Sequence, residues 1–277
     1  MMKKNQLVWT GYILLIIFFI ASCGGAQLRK EHAEISRKLG EAYLQDQNYT
    51  YALRELLKAE ELYPDDHLLQ NYLGIAYRQK GRPDIAIKHF KKALKLKHDY
   101  APARNNMGAA YFDKKDWDSA IACYKEVAGN LLYATPHYPL YNLGRAYYEK
   151  KEYKLSEKYF LAAIEKRPNY FDALHGLGQT YIAMGRIPEA AAAFESIVRQ
   201  MPKFVNEHID LSGNYRLTAK YKFAEVYFDL GRAYQLLRKY RKAYSVYNKV
   251  IKLAPETFLA VNAEKEIKRL KRQKKLY

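Results

Sequence analysis

A five-residue phrase, Leu-Gly-x-Ala-Tyr, organises this chain. It stands at Leu73–Tyr77 and returns, lightly altered, at Leu39–Tyr43, Met107–Tyr111, Leu143–Tyr147, Leu177–Tyr181 and Leu230–Tyr234. Its glycines fall at 40, 74, 108, 144, 178 and 231, so the steps are 34, 34, 36, 34 and 53 residues. Within one interval, residues 67–100, apolar side chains recur at three- and four-residue spacing in two runs. Leu69, Leu73, Ala76 and Tyr77 make the first run, and Ile87, Phe90, Ala93 and Leu94 the second, with Gly81-Arg82-Pro83 between them. That pattern predicts two short amphipathic helices joined by a turn. Neither helix buries its stripe alone, so each unit needs neighbours, and a period near 34 residues supplies them as a repeat array.

Counted from residues 33, 67, 101, 137, 171 and 224, the eighth residue is always Gly and the eleventh always Tyr. The twentieth is Ala52, Ala86, Ala120, Ser156, Ala190 or Ala243, and the twenty-fourth is Leu56, Phe90, Tyr124, Phe160, Phe194 or Tyr247. Antiparallel helices approach closely only where bulk is missing, which positions 8 and 20 provide, and position 24 fills the space beside the crossing. Pro64, Pro168, Pro202 and Pro255 stand at position 32, where a residue without an N–H ends the second helix. This resembles the tetratricopeptide repeat over residues 33–257, although the position-4 Trp of that family is replaced by Ser36, Gln70, Arg104, Leu140, Leu174 and Tyr227. The resemblance implies an all-α superhelical solenoid of antiparallel helix pairs, best described as one continuous stack. Its units are 33–66, 67–100, 101–136, 137–170, 171–204 and 224–257, with residues 205–223 as an insert. Helix A of the third unit is expected to start at Pro102. Ser212-Gly213-Asn214 reads as a turn inside the insert, while Leu217, Tyr221 and Ala224 are spaced for an early start to the last unit's first helix. Phe258, Val261, Ile267 and Leu270 give residues 258–277 the pattern of a capping helix with a basic tail.

Met1-Met2-Lys3-Lys4-Asn5 is a short basic segment, Leu7–Ile20 is largely apolar, and Ile20-Ala21-Ser22 places small residues before Cys23. The segment resembles a bacterial lipoprotein signal peptide, residues 1–22. That resemblance implies cleavage after Ser22, a diacylglyceryl thioether on Cys23 and acylation of the new amino terminus; several acyl chains hold a protein to a bilayer durably. Residues 23–32 would form a lipidated tether. Gly24 rather than Asp after the cysteine favours the outer membrane, on its periplasmic face. Cys123 would then be the one thiol left, with no internal disulfide to make.

The formal charge of +18 suits solvated helix faces, anionic lipid or an acidic protein partner. An envelope location argues against nucleic acid. The basic run Lys268–Lys275 offers a contact for anionic lipid. The seven histidines form no HExxH pair, and there is no CxxC, no Walker loop and no GxSxG. Gly176-x-Gly178 is too short for a phosphate loop, and Gly178 is the repeat's own position 8. The reading is a protein without catalytic, metal or cofactor sites beyond the lipid on Cys23.

What remains is a surface that binds another protein. In arrays of this family the first helix of each pair lines the concave groove. Repeats two to four present Asn71, Tyr72, Arg78, Asn105, Asn106, Phe112, Tyr138, Tyr141, Asn142, Arg145 and Tyr148 there. Amides hydrogen-bond an extended backbone and aromatic rings grip side chains at little entropic cost. Arg37 with Glu41 does not reproduce the Lys/Asn clamp that some repeats use for a C-terminal carboxylate.

Asn105-Asn106-Met107-Gly108, then Leu132-Tyr133-Ala134-Thr135-Pro136, then Tyr141-Asn142-Leu143-Gly144, is similar to the type IV pilus biogenesis lipoproteins, the pilotins. The resemblance implies a lipid-anchored scaffold that binds secretin subunits and localises them at the outer membrane. The alternative is a general envelope adaptor that docks cell-wall enzymes or other assembly factors.

Overall fold

The computed structural model describes residues 25–130, 133–207 and 213–273. The signal segment, Cys23, Leu132, Ser212 and the last four residues of the tail lie outside the described residues. Among the described residues there are thirteen α-helices and no strand. The chain divides after residue 130 into two compact units.

The first unit holds three helix pairs: α1 (residues 25–45) with α2 (Tyr49–Leu62), α3 (His67–Gln79) with α4 (Pro83–Leu96), and α5 (Ala101–Asp113) with α6 (Trp117–Ala128). The second holds α7 (His137–Glu149) with α8 (Tyr153–Lys166), α9 (Phe171–Ala183) with α10 (Ile187–Glu207), α11 (Gly213–Leu236) with α12 (Tyr240–Leu253), and the terminal helix α13 (Phe258–Arg272).

Local chemistry sets most of these bounds. Pro83 opens α4, where its missing N–H costs nothing. Pro102 is the second residue of α5, which begins one place earlier than expected, at Ala101. Asp66 accepts from the backbone N–H of Leu68 at 2.8 Å and caps α3, and Thr257 accepts from Ala260 at 3.2 Å and caps α13. Pro64, Pro168 and Pro255 each follow the end of a second helix, as expected. Pro202 does not end its helix: α10 runs through it to Glu207, forgoing the one backbone bond that proline cannot donate.

Three further expectations change. Residues 25–32 are not a tether but the first two turns of α1, since nothing from Gln27 to Leu44 breaks a helix except Gly40, which the packing requires. Much of the expected insert is helical, with residues 205–207 in α10 and 213–223 in α11. Gly213 and Asn214 open α11 instead of forming a turn, so the last first-helix does begin early. In α13 the buried stripe is Ala260, Ala263, Ile267 and Leu270, while Phe258 and Val261, two positions off that spacing, stand 82% and 57% exposed.

The turn inside each pair is built the same way in all six repeats. Its position-15 residue is left-handed: Gln47, Gly81, Lys115, Lys151, Gly185 and Arg238, with φ from 58° to 76°. The next N–H reaches back to the carbonyl of the invariant Tyr at 2.8–3.0 Å, for example Glu152 to Tyr147 and Lys239 to Tyr234. This closes the first helix in the manner of a Schellman motif. Only two of the six positions carry the glycine that such a φ favours.

The crossing points are as the repeat demands. Ala52, Ala86, Ala120, Ala190 and Ala243 are fully buried, and the position-24 side chains lie against the position-8 glycines. A Cβ on Gly144 would stand 2.6 Å from the Phe160 ring, and one on Gly176 would stand 2.5 Å from the same ring. Gly176 is thus a packing residue of α9. Ser156, the one position-20 departure, donates its hydroxyl to the Gly144 carbonyl at 2.9 Å and lies 3.0 Å from Thr180 Oγ1. Thr180 replaces the alanine of the other repeats at position 10 and donates to the Gly176 carbonyl at 2.8 Å.

Candidate protein-binding faces

The first-helix residues singled out from the sequence fall on both units.

In the first unit, successive first helices are tied side chain to side chain. Tyr72 donates to Glu41 of the preceding repeat. Asn106 Nδ2 donates to Asn71 Oδ1 at 3.0 Å. Arg78 Nε donates to Asp113 Oδ2 at 2.6 Å. Burial, then the bond to the Glu41 carboxylate, pushes the Tyr72 hydroxyl well above the usual phenol range. Asn71 is buried, while Asn105, Asn106 and Arg78 are half-buried. Phe112 packs edge-on against Trp117 of its own pair, ring centroids 4.8 Å apart. Arg37 is buried, with Nε 3.0 Å from Asp66 Oδ2 in an ion pair whose angle is not that of a hydrogen bond. It lines a cleft of about 260 Å³ with Lys30, Glu34, Tyr63, Asp65, Asp66 and His67.

In the second unit, aromatic rings gather at the start of α7. Tyr141 and Tyr138 both meet Tyr170, at 5.2 and 5.9 Å between centroids, and His137 packs edge-on to it at 5.2 Å. Arg167 and Arg145 stand over Tyr170 and Tyr141 at 5.5 and 5.6 Å. Burial raises the Tyr141 and Tyr170 hydroxyls, and burial followed by the charge of Arg167 lowers His137, so at neutral pH the cluster holds uncharged rings under two fixed cations. Tyr138 is 42% exposed. Asn142 is half-buried beside Tyr141, and Tyr148 packs on Tyr153 of its own pair at 5.7 Å, as Phe112 does on Trp117.

Sequence reasoning missed the polar centre of this unit. His175 Nε2 lies 3.0 Å from Asp229 Oδ2, which also accepts from Gln179 Nε2 at 3.1 Å, and Arg232 stands 3.6 Å from its other oxygen. Burial alone would raise the Asp229 carboxyl; the bond and charge of His175, the Gln179 amide and Arg232 outweigh it and hold the group below the usual range. His175 and Gln179 occupy positions 5 and 9 and Asp229 position 6 of their repeats. The same positions carry Asn71–Asn106 (5 to 6) and Glu41–Tyr72 (9 to 6). The available signal was the position itself in repeats five and six, beyond the three considered.

Cys123 is buried, and burial raises its thiol to about 11, which makes it unreactive. Among the described residues no group of three His, Cys, Asp or Glu side chains is placed to hold a metal ion, and no helix is long and apolar enough to cross a membrane.

Tetratricopeptide-repeat family models match residues 74–115, 140–203 and 224–257. With the helix pairs and crossings above, the chain belongs to the tetratricopeptide-repeat proteins, a non-catalytic family whose members bind other proteins. No curated protein matches the sequence. Among solved structures, PilF of Pseudomonas aeruginosa is 18% identical with a TM-score of 0.67, covering 86% of this chain and 99% of PilF. PilW, a type IV pilus biogenesis factor, is 19% identical with a TM-score of 0.69, covering 83% of this chain and 97% of PilW. YrrB, a repeat protein with a peptide-binding site, is 21% identical with a TM-score of 0.52, covering 76% and 97%. At these identities the likeness is one of fold. This chain is a protein-binding repeat scaffold that resembles pilus biogenesis factors.

Proposed function

We propose that this scaffold is anchored through lipid on Cys23 to the periplasmic face of the outer membrane, and that it binds secretin subunits and localises them for pilus assembly. The observation that carries the reading is extent: nearly the whole of PilF and of PilW aligns with this chain. The Asn105-Asn106-Met107-Gly108 phrase and the irregular junction after α6 add to it. The acyl chains would supply membrane partitioning and the first-helix faces the grip, with no covalent chemistry by the repeats.

Tyr138 and Arg145 suit a partner segment better than the tied Asn71 and Asn106, because both are exposed whereas Asn71 is buried and Asn106 half-buried. Basic residues on the outer face of α13, Lys265, Lys268 and Arg272, offer a second contact to anionic lipid. The test is affinity capture of the lipidated protein from solubilised envelopes, with partners identified by mass spectrometry. Recovery of a secretin, lost in a Tyr138→Ala/Arg145→Ala protein that still folds, supports the reading. Recovery of cell-wall enzymes without a secretin replaces it with the general adaptor. A Cys23→Ala protein that still partitions with outer membranes removes the anchor.

A further inference from the structure

The helix α1 carries an apolar stripe that nothing described covers. Leu28, Ile35 and Leu39 are 55%, 66% and 43% exposed, and their spacing of seven and four places them on one face. The opposite face, with Ala33, Arg37 and Gly40, is buried in the first unit. The stripe continues past Tyr43 to Tyr51, 5.6 Å away between ring centroids and 46% exposed, with the Arg54 guanidinium 4.7 Å over its ring. Beside it Lys38 and Glu34 pair at 2.8 Å, so the flank is close to neutral.

We propose that α1 lies along the surface of the phospholipid bilayer with Leu28, Ile35, Leu39 and Tyr51 turned into the headgroup region. The inference rests on the reading that Cys23 carries the lipid anchor and adds how the folded chain meets the membrane. The argument is one of reach. The helix is already formed at residue 25, two residues past Cys23, so no slack separates the anchor from the repeats. At about 1.5 Å per residue, Leu28 is about 8 Å and Leu39 about 24 Å from the anchor along the helix. An upright helix leaves Ile35 and Leu39 in water, whereas a helix lying flat removes the whole stripe from it. An apolar stripe ending in a tyrosine beneath an arginine is the make-up of an interfacial helix.

The test uses the full lipidated chain reconstituted in phosphatidylethanolamine–phosphatidylglycerol vesicles. In a Cys123→Ser background, an environment-sensitive dye is attached at Ile35→Cys and, as a control, at Lys91→Cys, an exposed position of α4. Vesicles made with acyl-chain-brominated lipid should quench the dye at residue 35 and leave the control bright. Flotation with the vesicles but an unquenched dye at residue 35 overturns the proposal while the anchor stands. Disulfide cross-linking of two copies through Ile35→Cys, with no quenching, overturns it in favour of a second copy on the stripe. A protein that does not float removes the anchor, and the proposal with it.

Discussion

The side-chain amide of Asn106 donates to that of Asn71 one repeat earlier, at 3.0 Å, so two residues that look like ligand contacts hold the first unit together. Asn71 is buried, and losing its partner strands a polar group. Asn106→Ala should therefore destabilise the first unit by about 1 kcal/mol. The Asn71→Ala/Asn106→Ala double variant should cost less than the sum of the single changes. Urea denaturation of the four proteins measures this, and strictly additive costs would show that the bond contributes nothing.

Ser156 and Thr180 form a second coupled pair. Each departs from the alanine of the other repeats, and with one proton apiece the two hydroxyls share three contacts, to the Gly144 carbonyl, to the Gly176 carbonyl and to each other. Ser156→Ala or Thr180→Ala alone should cost about 1 kcal/mol, with a coupling of about 0.5 kcal/mol or more in the double variant. Independent behaviour in thermal or denaturant unfolding would count against the pairing.

The left-handed turn residues offer a gain. Lys151 sits at φ 62° in the conformation that Gly185 adopts at 76°. Lys151→Gly removes a strain of about 1–2 kcal/mol and adds unfolded-state entropy, for a net stabilisation of about 0.5–1 kcal/mol. Gly185→Ala should move stability the other way. A lower midpoint for Lys151→Gly in guanidinium would contradict the turn geometry.

Asp229 gives the second unit a defined acid limb. Its folded-state value lies below the ordinary carboxylate value of about 3.9, so its contribution is fully present above that value. It is lost as pH falls from there through the lowered folded value, because the unfolded chain takes up the proton first. Stability followed as the pH falls from about 5 to about 2 should drop less steeply in Asp229→Asn than in the parent chain, the difference arising below about 3.9. Identical slopes would mean that His175 and Gln179 do not hold the carboxylate.

The crossings were legible in the sequence because a Gly, an Ala and a large residue at fixed positions admit one packing. The ties were not, since Asn71–Asn106 and His175–Asp229 join positions 35 and 54 residues apart whose chemistry differs from repeat to repeat. Gly176 resembled half of a phosphate motif only because its neighbour Phe160 is distant in sequence. The extent of α1 was hidden because residues 25–32 carry Leu28 as their one large apolar side chain, too little to display a helical period. Gln47, Lys115, Lys151 and Arg238 concealed their turn geometry because a backbone bond to the tyrosine enforces what glycine would otherwise signal.

In most helical arrays each pair can open with only its neighbours' consent, and exposure spreads one unit at a time. Phe160 changes that locally, because one ring fills the gap against Gly144 of its own pair and Gly176 of the next. Withdrawing it empties both contacts at once. Amide hydrogens in α7, α8 and α9 should accordingly exchange with solvent in a single event, making the fourth pair and the start of the fifth one kinetic block.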